Sequence, residues 1–446
     1  MNKPNYSVRH ICVNILDRLN HNGHYADELI AEAFKRHSLP QVDRSLVVEL
    51  VNGTVRWQGQ LDWILARGFR GDFNRCASKL RAILELSLYQ IRFLQRIPKY
   101  AAVDQGVEIA KAEGGKSWGN LVNAVLRNYL RREKTLEMPS FEADATTALA
   151  VRHSHPQWMV QRWLDRYGLE ETEELCRFNN QRPCVCVRVN LAKTSPEHLL
   201  QYFQEREIEA RPSIYFADFI KITRPGDLNN CSAFTNGQFT IQDESTAIGS
   251  LLLAPQKGET VLDLCAAPGG KAGHLAQLLG ESGRVLAVDQ NFNRLSLLQD
   301  NIVRLQTRLI RPIVADGRHF QCSPVNKILL DAPCSGLGVL AKRVDLRWRR
   351  KPNDIAKVSR LQRSLLQSAS RLVKKGGVLV YNTCTLEPEE NETVVEDFLD
   401  RNGNFRLEPL ALSCLEPFAN SQGYFRSLPQ KHKMDGAFAA RLLRIN

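Results

Sequence analysis

Five short apolar segments separated by helical stretches most constrain the fold: TVLDLCAA (260–267), RVLAVDQ (284–290), IRPIVADG (310–317), KILLDAP (327–333) and GVLVYNTCT (377–385). Strands that recur after each helix pair in parallel through crossovers, so this alternation predicts an α/β domain with a parallel sheet flanked by helices. The rhythm upstream is different. Residues 1 to about 135 carry apolar side chains at helical spacing, as in Ile11, Ile15, Leu16 and Leu19, or Leu46, Val47, Leu50 and Val51. Segments 80–94 and 103–114 continue that pattern, with breaks at Gly23, Pro40, Gly71 and Pro98. Between the two regions, CVCVRVNL (184–191) predicts a strand, and SPEHLLQYFQERE (195–207) a helix capped by Ser195. Three parts are expected: an all-α region over 1–138, a small α+β connector over 139–240 and the α/β domain over 241–446.

The chain of 446 residues carries a net charge of +12. Roughly +7 of that falls in residues 1–138. Such an excess fits a polyanion such as nucleic acid, or simply a basic surface. No run of about 18 apolar residues is present, so no membrane-spanning helix is expected. The N-terminus lacks an apolar stretch with a cleavage site and reads as mature chain. Eleven cysteines without regular spacing suit free thiols in a reducing cytoplasm. Cys184 and Cys186 form a C-x-C pair with no second pair beside it, so they read as strand residues and no metal site is expected.

The first strand of the α/β domain runs through a short glycine turn straight into a helix, VLDLCAAPGGKAGHLAQLL (261–279). Open α/β sheets bind ligands at such strand ends. The second strand ends in Asp289, about 20 residues on, where an acid can accept from ribose hydroxyls. The third ends in Ala315-Asp316-Gly317, placing an acid to meet an adenine amino group. The G-x-G-x-x-G of nicotinamide sites is missing, and Gly270-Lys271 is followed by Ala272, so the turn is not a P-loop.

The fourth and fifth strands end in DAPCSGLG (331–338) and NTCTLEPEEN (382–391). Cys334 and Cys384 therefore lie just past neighbouring strand ends and face the same crevice. One such cysteine is usually an inert buried thiol; two together are candidates for covalent chemistry. Next follows AKRVDLRWRRKP (341–352), with six basic residues, one acid and Trp348, which suits an RNA-facing loop of phosphate-binding cations and a stacking ring.

VLDLCAAPGGK, DAPCSGLG and NTCTLEPEEN resemble motifs I, IV and VI of the Nop2/Sun family of RNA 5-methylcytosine methyltransferases. DGAFAARLLR (435–444) is similar to that family's closing strand, and IQDESTAIGSLLLAP (241–255) to the helix leading into its catalytic domain. Segments 43–57, 84–111 and 119–131 resemble a NusB-type helical RNA-binding domain, a pairing found in the bacterial Sun group. The resemblance implies a Rossmann-like domain with a seven-stranded, mostly parallel sheet that uses S-adenosylmethionine. It also implies a cytosine in a single-stranded loop of 16S ribosomal RNA as target, position 967 in the usual numbering, and a monomeric enzyme. Position by position, it makes Cys384 the nucleophile and Cys334 the residue that assists adduct breakdown, with Asp331 and Lys271 beside the target base. Cys265, Ala266, Ala267, Pro268, Gly269, Gly270, Lys271, Asp289, Arg294, Asp316 and Asp331 then line the cofactor pocket. The chemistry requires a thiol because carbon 5 of cytosine is a weak nucleophile; thiolate addition at carbon 6 turns the ring into an enamine. An acid such as Asp331 is the natural donor to ring nitrogen 3 if burial raises its pKa. Thr385 stands where the family often has Ser, and Arg343-Val344-Asp345 where it often has a proline. A tRNA cytosine as target, or a non-catalytic NusB-like RNA-binding factor, are the alternatives.

Overall fold

The computed structural model describes residues 7–21, 23–223 and 228–446. The chain forms two compact units. One holds the described residues up to Gln181 together with Arg343–Arg349; the other holds Arg182–Lys342 and Arg350–Asn446.

The first unit is helical: Val8–Asn20, Ala26–Arg36, Gln41–Gly68, Ser78–Phe93, Lys99–Arg132, Ala145–Arg152 and Gln157–Asn180. Ser7 caps the first helix through the His10 amide, and Pro40, Pro98 and Pro156 precede three others, where no amide is needed. Gly114-Gly115 breaks the fifth helix, with φ of 74° at Gly115. The interior is closely packed, with Leu50, Val51, Leu61, Leu84, Leu88 and Leu126 fully buried. At Gly53 a Cβ would sit 2.0 Å from the Tyr89 ring, so only glycine lets these two helices approach. Residues 139–181, expected in the connector, pack with this unit.

The basic stretch after the fourth strand departs from expectation. Arg347 is fully buried. Its guanidinium donates to Arg56 O (3.1 Å), Ser154 O (3.1 Å), Asn179 O (3.0 Å) and Asn180 Oδ1 (2.8 Å). The Trp348 indole donates to Val55 O at 2.7 Å. Arg349 lies over the Tyr25 ring at 4.2 Å, and Arg343 pairs with Asp27 at 3.1 Å. The expected RNA-facing cations are thus largely committed to protein acceptors, because buried carbonyls need donors and a planar fork with five N–H groups supplies several at once.

The second unit opens with an antiparallel sheet of β1 (Val185–Val189), β2 (Ala210–Pro212), β3 (Phe219–Ile222) and β4 (Phe239–Ile241), in the order β2-β3-β1-β4. The helix Pro196–Gln204, capped by Ser195 as expected, packs on it through Leu199 and Phe203. Cys186 lies buried on β1, as its strand reading requires, and Cys184 is exposed just before it.

The larger sheet comprises β5 (Thr260–Leu264), β6 (Arg284–Asp289), β7 (Ile310–Val314), β8 (Val325–Asp331), β9 (Val373–Thr383), β10 (Phe405–Leu407), β11 (Phe425–Ser427) and β12 (Ala437–Arg444). Seven strands run in the order β10-β12-β9-β8-β5-β6-β7, and β11 adds an eighth against β12. β7, β6, β5, β8 and β9 are mutually parallel, and β12 is antiparallel to β9. Alternate residues serve opposite faces. Val261 and Leu329 pack with the helices Ala247–Leu253 and Gly270–Leu279, whereas Leu262, Ile328 and Leu330 pack with Pro352–Arg371. Both faces are covered, which is why these strands read as continuous apolar runs. The chain winds outward from β5 to β7, then returns to β8 on the other side of β5. That reversal opens a crevice at the carboxyl ends of β5 and β8.

Candidate active site

The turn after β5 forms one wall of the crevice. Cys265 adopts a left-handed φ of 65°, and the Ala267–Pro268 bond is cis. Gly269 has φ of 102°, and a Cβ there would meet Leu298 Cδ1 at 2.3 Å, so the turn requires glycine. Asp289, at the end of β6, accepts from the Ala267 amide (3.1 Å) and from the Asn291 amide (2.9 Å). A carboxylate has about four acceptor positions, so it keeps capacity for ribose hydroxyls. Arg294 closes the turn by donating to Ala267 O. Asp316 is gripped instead by Arg318, whose Nε lies 3.0 Å from each carboxylate oxygen. That hydrogen bond holds the Asp316 carboxyl down to about 2.

Beneath the crevice lies Asp263, which sequence reasoning missed. It is fully buried on β5, and neither carboxylate oxygen has a hydrogen-bond partner. Burial first, then the Asp331 charge, pushes its carboxyl well above the usual range. An orphaned acid here fits a ligand bearing an ammonium, and Asp289 fits one bearing a ribose; S-adenosylmethionine carries both. The available signal was a charged residue inside an apolar strand.

Lys271 lies in the first turn of the helix Gly270–Leu279, with Nζ 2.6 Å from Asp331 Oδ1. Asn382 Nδ2, on β9, donates to the same oxygen at 2.8 Å and was also missed. Burial would lower the lysine, but the charges of Asp331, Cys384 and Asp263 outweigh it and raise the ammonium above its ordinary value. The Asp331 side chain is 31% exposed and paired with that ammonium.

Cys334 and Cys384 share a hydrogen between sulfurs 3.0 Å apart, and the Cys384 amide approaches Cys334 Sγ at 3.4 Å. The hydrogen bond to Cys384, then burial, pushes the Cys334 thiol well above its ordinary value. Lys271, Asp331, Cys334 and Cys384 are thus gathered at the carboxyl ends of β8 and β9. The turn 265–270 joins Asp289 and Arg294 by direct bonds, while Asp316 is committed to Arg318. Among the described residues no group of three or more His, Cys, Asp or Glu could hold a metal ion.

The profile of the family described as "16S rRNA methyltransferase RsmB/F" matches residues 250–443, that of the NusB family residues 7–131, and an RsmF/B-like ferredoxin-like domain residues 155–229. A Bacillus subtilis protein named probable ribosomal RNA small subunit methyltransferase B is 36% identical, over 97% of this chain and 97% of its own length. A Synechocystis protein of the same name is also 36% identical, over 98% and 99% respectively. The solved structure of a protein called PH0851 superposes with a TM-score of 0.82 at 29% identity, covering 99% of this chain and all of its own. The chain therefore belongs to the 16S rRNA methyltransferase RsmB/F family and is an S-adenosylmethionine-dependent ribosomal RNA methyltransferase.

Proposed function

We propose that the enzyme methylates carbon 5 of a cytosine in 16S ribosomal RNA through a temporary bond between Cys384 and carbon 6 of the base. The 3.0 Å separation of the two thiols, beside the Lys271–Asp331 pair, carries this reading. Cys384 adds to carbon 6 as the thiolate. Lys271 and Asp331 share one proton-rich contact at 2.6 Å and supply the hydrogen bond that ring nitrogen 3 needs as its electron density rises. The bound cofactor supplies an electrophilic methyl group to the enamine carbon.

The proton on carbon 5 must then be removed before the Cys384 sulfur can leave. Cys334 suits this step. Its thiol is held high first by its hydrogen bond to Cys384. Once Cys384 is bonded to carbon it no longer holds that hydrogen bond, so Cys334 can release its proton to solvent. As the thiolate it takes the carbon 5 proton, and the C–H electron pair re-forms the ring double bond and expels the Cys384 thiolate. The base must be unstacked to reach the crevice, so a single-stranded loop is the substrate. The helical unit docks the RNA, position 967 is the target the resemblance implies, and the enzyme acts as a monomer in the cytoplasm. Eleven free cysteines suit that reducing compartment.

Cys384→Ala tests the reading. Methyl transfer is expected to vanish while S-adenosylmethionine affinity stays within about threefold; near-normal turnover refutes it. Bisulfite sequencing of ribosomal and transfer RNA from cells lacking the gene identifies the nucleotide. A lost tRNA signal with 16S unchanged would overturn the substrate.

A further inference from the structure

The residue after each active-site cysteine is held by the same buried carboxylate. Glu390 is fully buried at the end of the turn Pro388–Glu390. Its Oε2 accepts from the Ser335 amide at 2.7 Å and from Gln362 Nε2 at 3.1 Å. Its Oε1 accepts from the Thr385 hydroxyl at 3.3 Å. The Ser335 and Thr385 hydroxyls also meet at 2.8 Å, and Gln362 reaches on to Pro333 O at 2.9 Å.

The turn that presents Glu390 is itself tied down. The Tyr381 hydroxyl donates to Glu390 O at 2.6 Å and Ser359 Oγ to Glu389 O at 2.5 Å. Asn391 bonds back to Thr385 O at 3.1 Å and accepts from Thr383 Oγ1 at 2.6 Å. The two cysteine loops are otherwise far apart in the chain, and the Gly338 amide to Cys384 O (3.1 Å) is a direct backbone bond between them.

Burying a carboxylate is costly, and an apolar or amide side chain would make a cheaper core. A carboxylate offers something neither can: it is acceptor-only at both oxygens, so it holds a donor from each loop simultaneously. Glutamine has one oxygen and one NH2 group, and must turn a donor toward one of the two loops.

We infer that Glu390 is a positioning residue that sets the separation of the Cys334 and Cys384 thiols by clamping Ser335 and Thr385. This rests on the two-cysteine mechanism above. Glu390 touches neither base nor cofactor and acts only through the neighbours of the two sulfurs. Misplacement of reacting groups by about 1 Å costs on the order of 100-fold in rate. Release should suffer most, because only that step uses both sulfurs together.

The test uses the full-length enzyme, its ribosomal RNA substrate and S-adenosylmethionine. Glu390→Gln is expected to lower kcat about 100-fold, to leave RNA KM and cofactor Kd within about threefold, and to accumulate a protein–RNA adduct on denaturing gels. A merely structural role would move all three constants together and trap nothing. Thr385→Val removes only the hydroxyl end of the clamp at equal volume, and should show the same signature at about 10-fold; it decides the matter if the Gln variant does not fold. The inference is overturned if kcat stays within threefold, if cofactor binding weakens in step with kcat, or if kcat falls with no adduct. If Cys384→Ala retains activity, the two-cysteine mechanism fails instead. If Cys384→Ala is inactive and Cys334→Ala traps adduct while Glu390→Gln behaves normally, only the clamp is wrong.

Discussion

Arg347 decides between two roles for the basic stretch 341–352. If its guanidinium serves the four acceptors around it, Arg347→Ala should unfold the helical unit more easily without touching phosphate binding. Four buried acceptors lose their donor, at about 1.5 kcal/mol each, and three methylenes lose burial at about 0.8 kcal/mol each. Against this, burial first, then Arg56, drags the guanidinium down to about 9. Relief of that strain returns roughly 4–5 kcal/mol, at about 1.4 kcal/mol per tenfold. The net loss is about 3–4 kcal/mol. Urea denaturation followed by tryptophan fluorescence isolates the effect, because all six tryptophans lie in the helical unit: Trp57, Trp63, Trp118, Trp158, Trp163 and Trp348. At about 2 kcal/mol per molar urea the midpoint should fall by roughly 1.5–2 M. A midpoint shift worth under about 1 kcal/mol, together with an RNA-binding salt slope flatter by about 0.7–0.9, would mean the arginine contacts phosphate and the structural account is wrong.

The remaining expectations concern the site and its surroundings. Cys334→Ala should slow adduct breakdown by about 100- to 10,000-fold, the range for a lost acid–base group. Absence of a gel-stable band with RNA and cofactor present would remove its release role. Lys271→Met deprives Asp331 of its ammonium and ring nitrogen 3 of its hydrogen-bond source, so kcat should drop about 100-fold or more while equilibrium cofactor binding changes little; a change confined to cofactor binding would contradict the proposed role. His155 and His274 are buried, and burial first, then the charges of Arg347 and Arg188 respectively, holds each well below 6.5. The unfolded chain therefore takes up their protons first on acidification. Their contribution to stability is present above about pH 6.5 and lost below it, with a slope of up to about 1.4 kcal/mol per pH unit for each. Urea midpoints that stay flat or rise between pH 7.5 and 5 would contradict this.

What the sequence disclosed, and what it concealed, follows from the range of the interactions involved. β5 to β9 were legible because a parallel strand covered on both faces must be apolar throughout, and the glycine turn because φ of 102° at Gly269 leaves no other residue. The cysteine pair was legible because each member sits immediately beyond a legible strand. The arginine-rich stretch was misread because composition is the same whether a guanidinium faces phosphate or carbonyls; the partners that decide lie at Arg56, Ser154 and Asn179. Helices 145–152 and 157–180 pack with the helical unit, although the ferredoxin-like profile of the connector already begins at residue 155, since nothing local marks which unit their apolar faces join. Glu390 is the instructive case. It stands among the acids of 387–390, a pattern that normally marks a solvated surface, yet it is fully buried and accepts from the amide of Ser335, 55 residues earlier. Asp263 broke a local rule in plain view, a charge within an apolar strand. Residues that violate local patterning tend to lie where function overrides stability. An acid that strains no local pattern can serve function equally well, but only the partners brought to it by the fold reveal that it does.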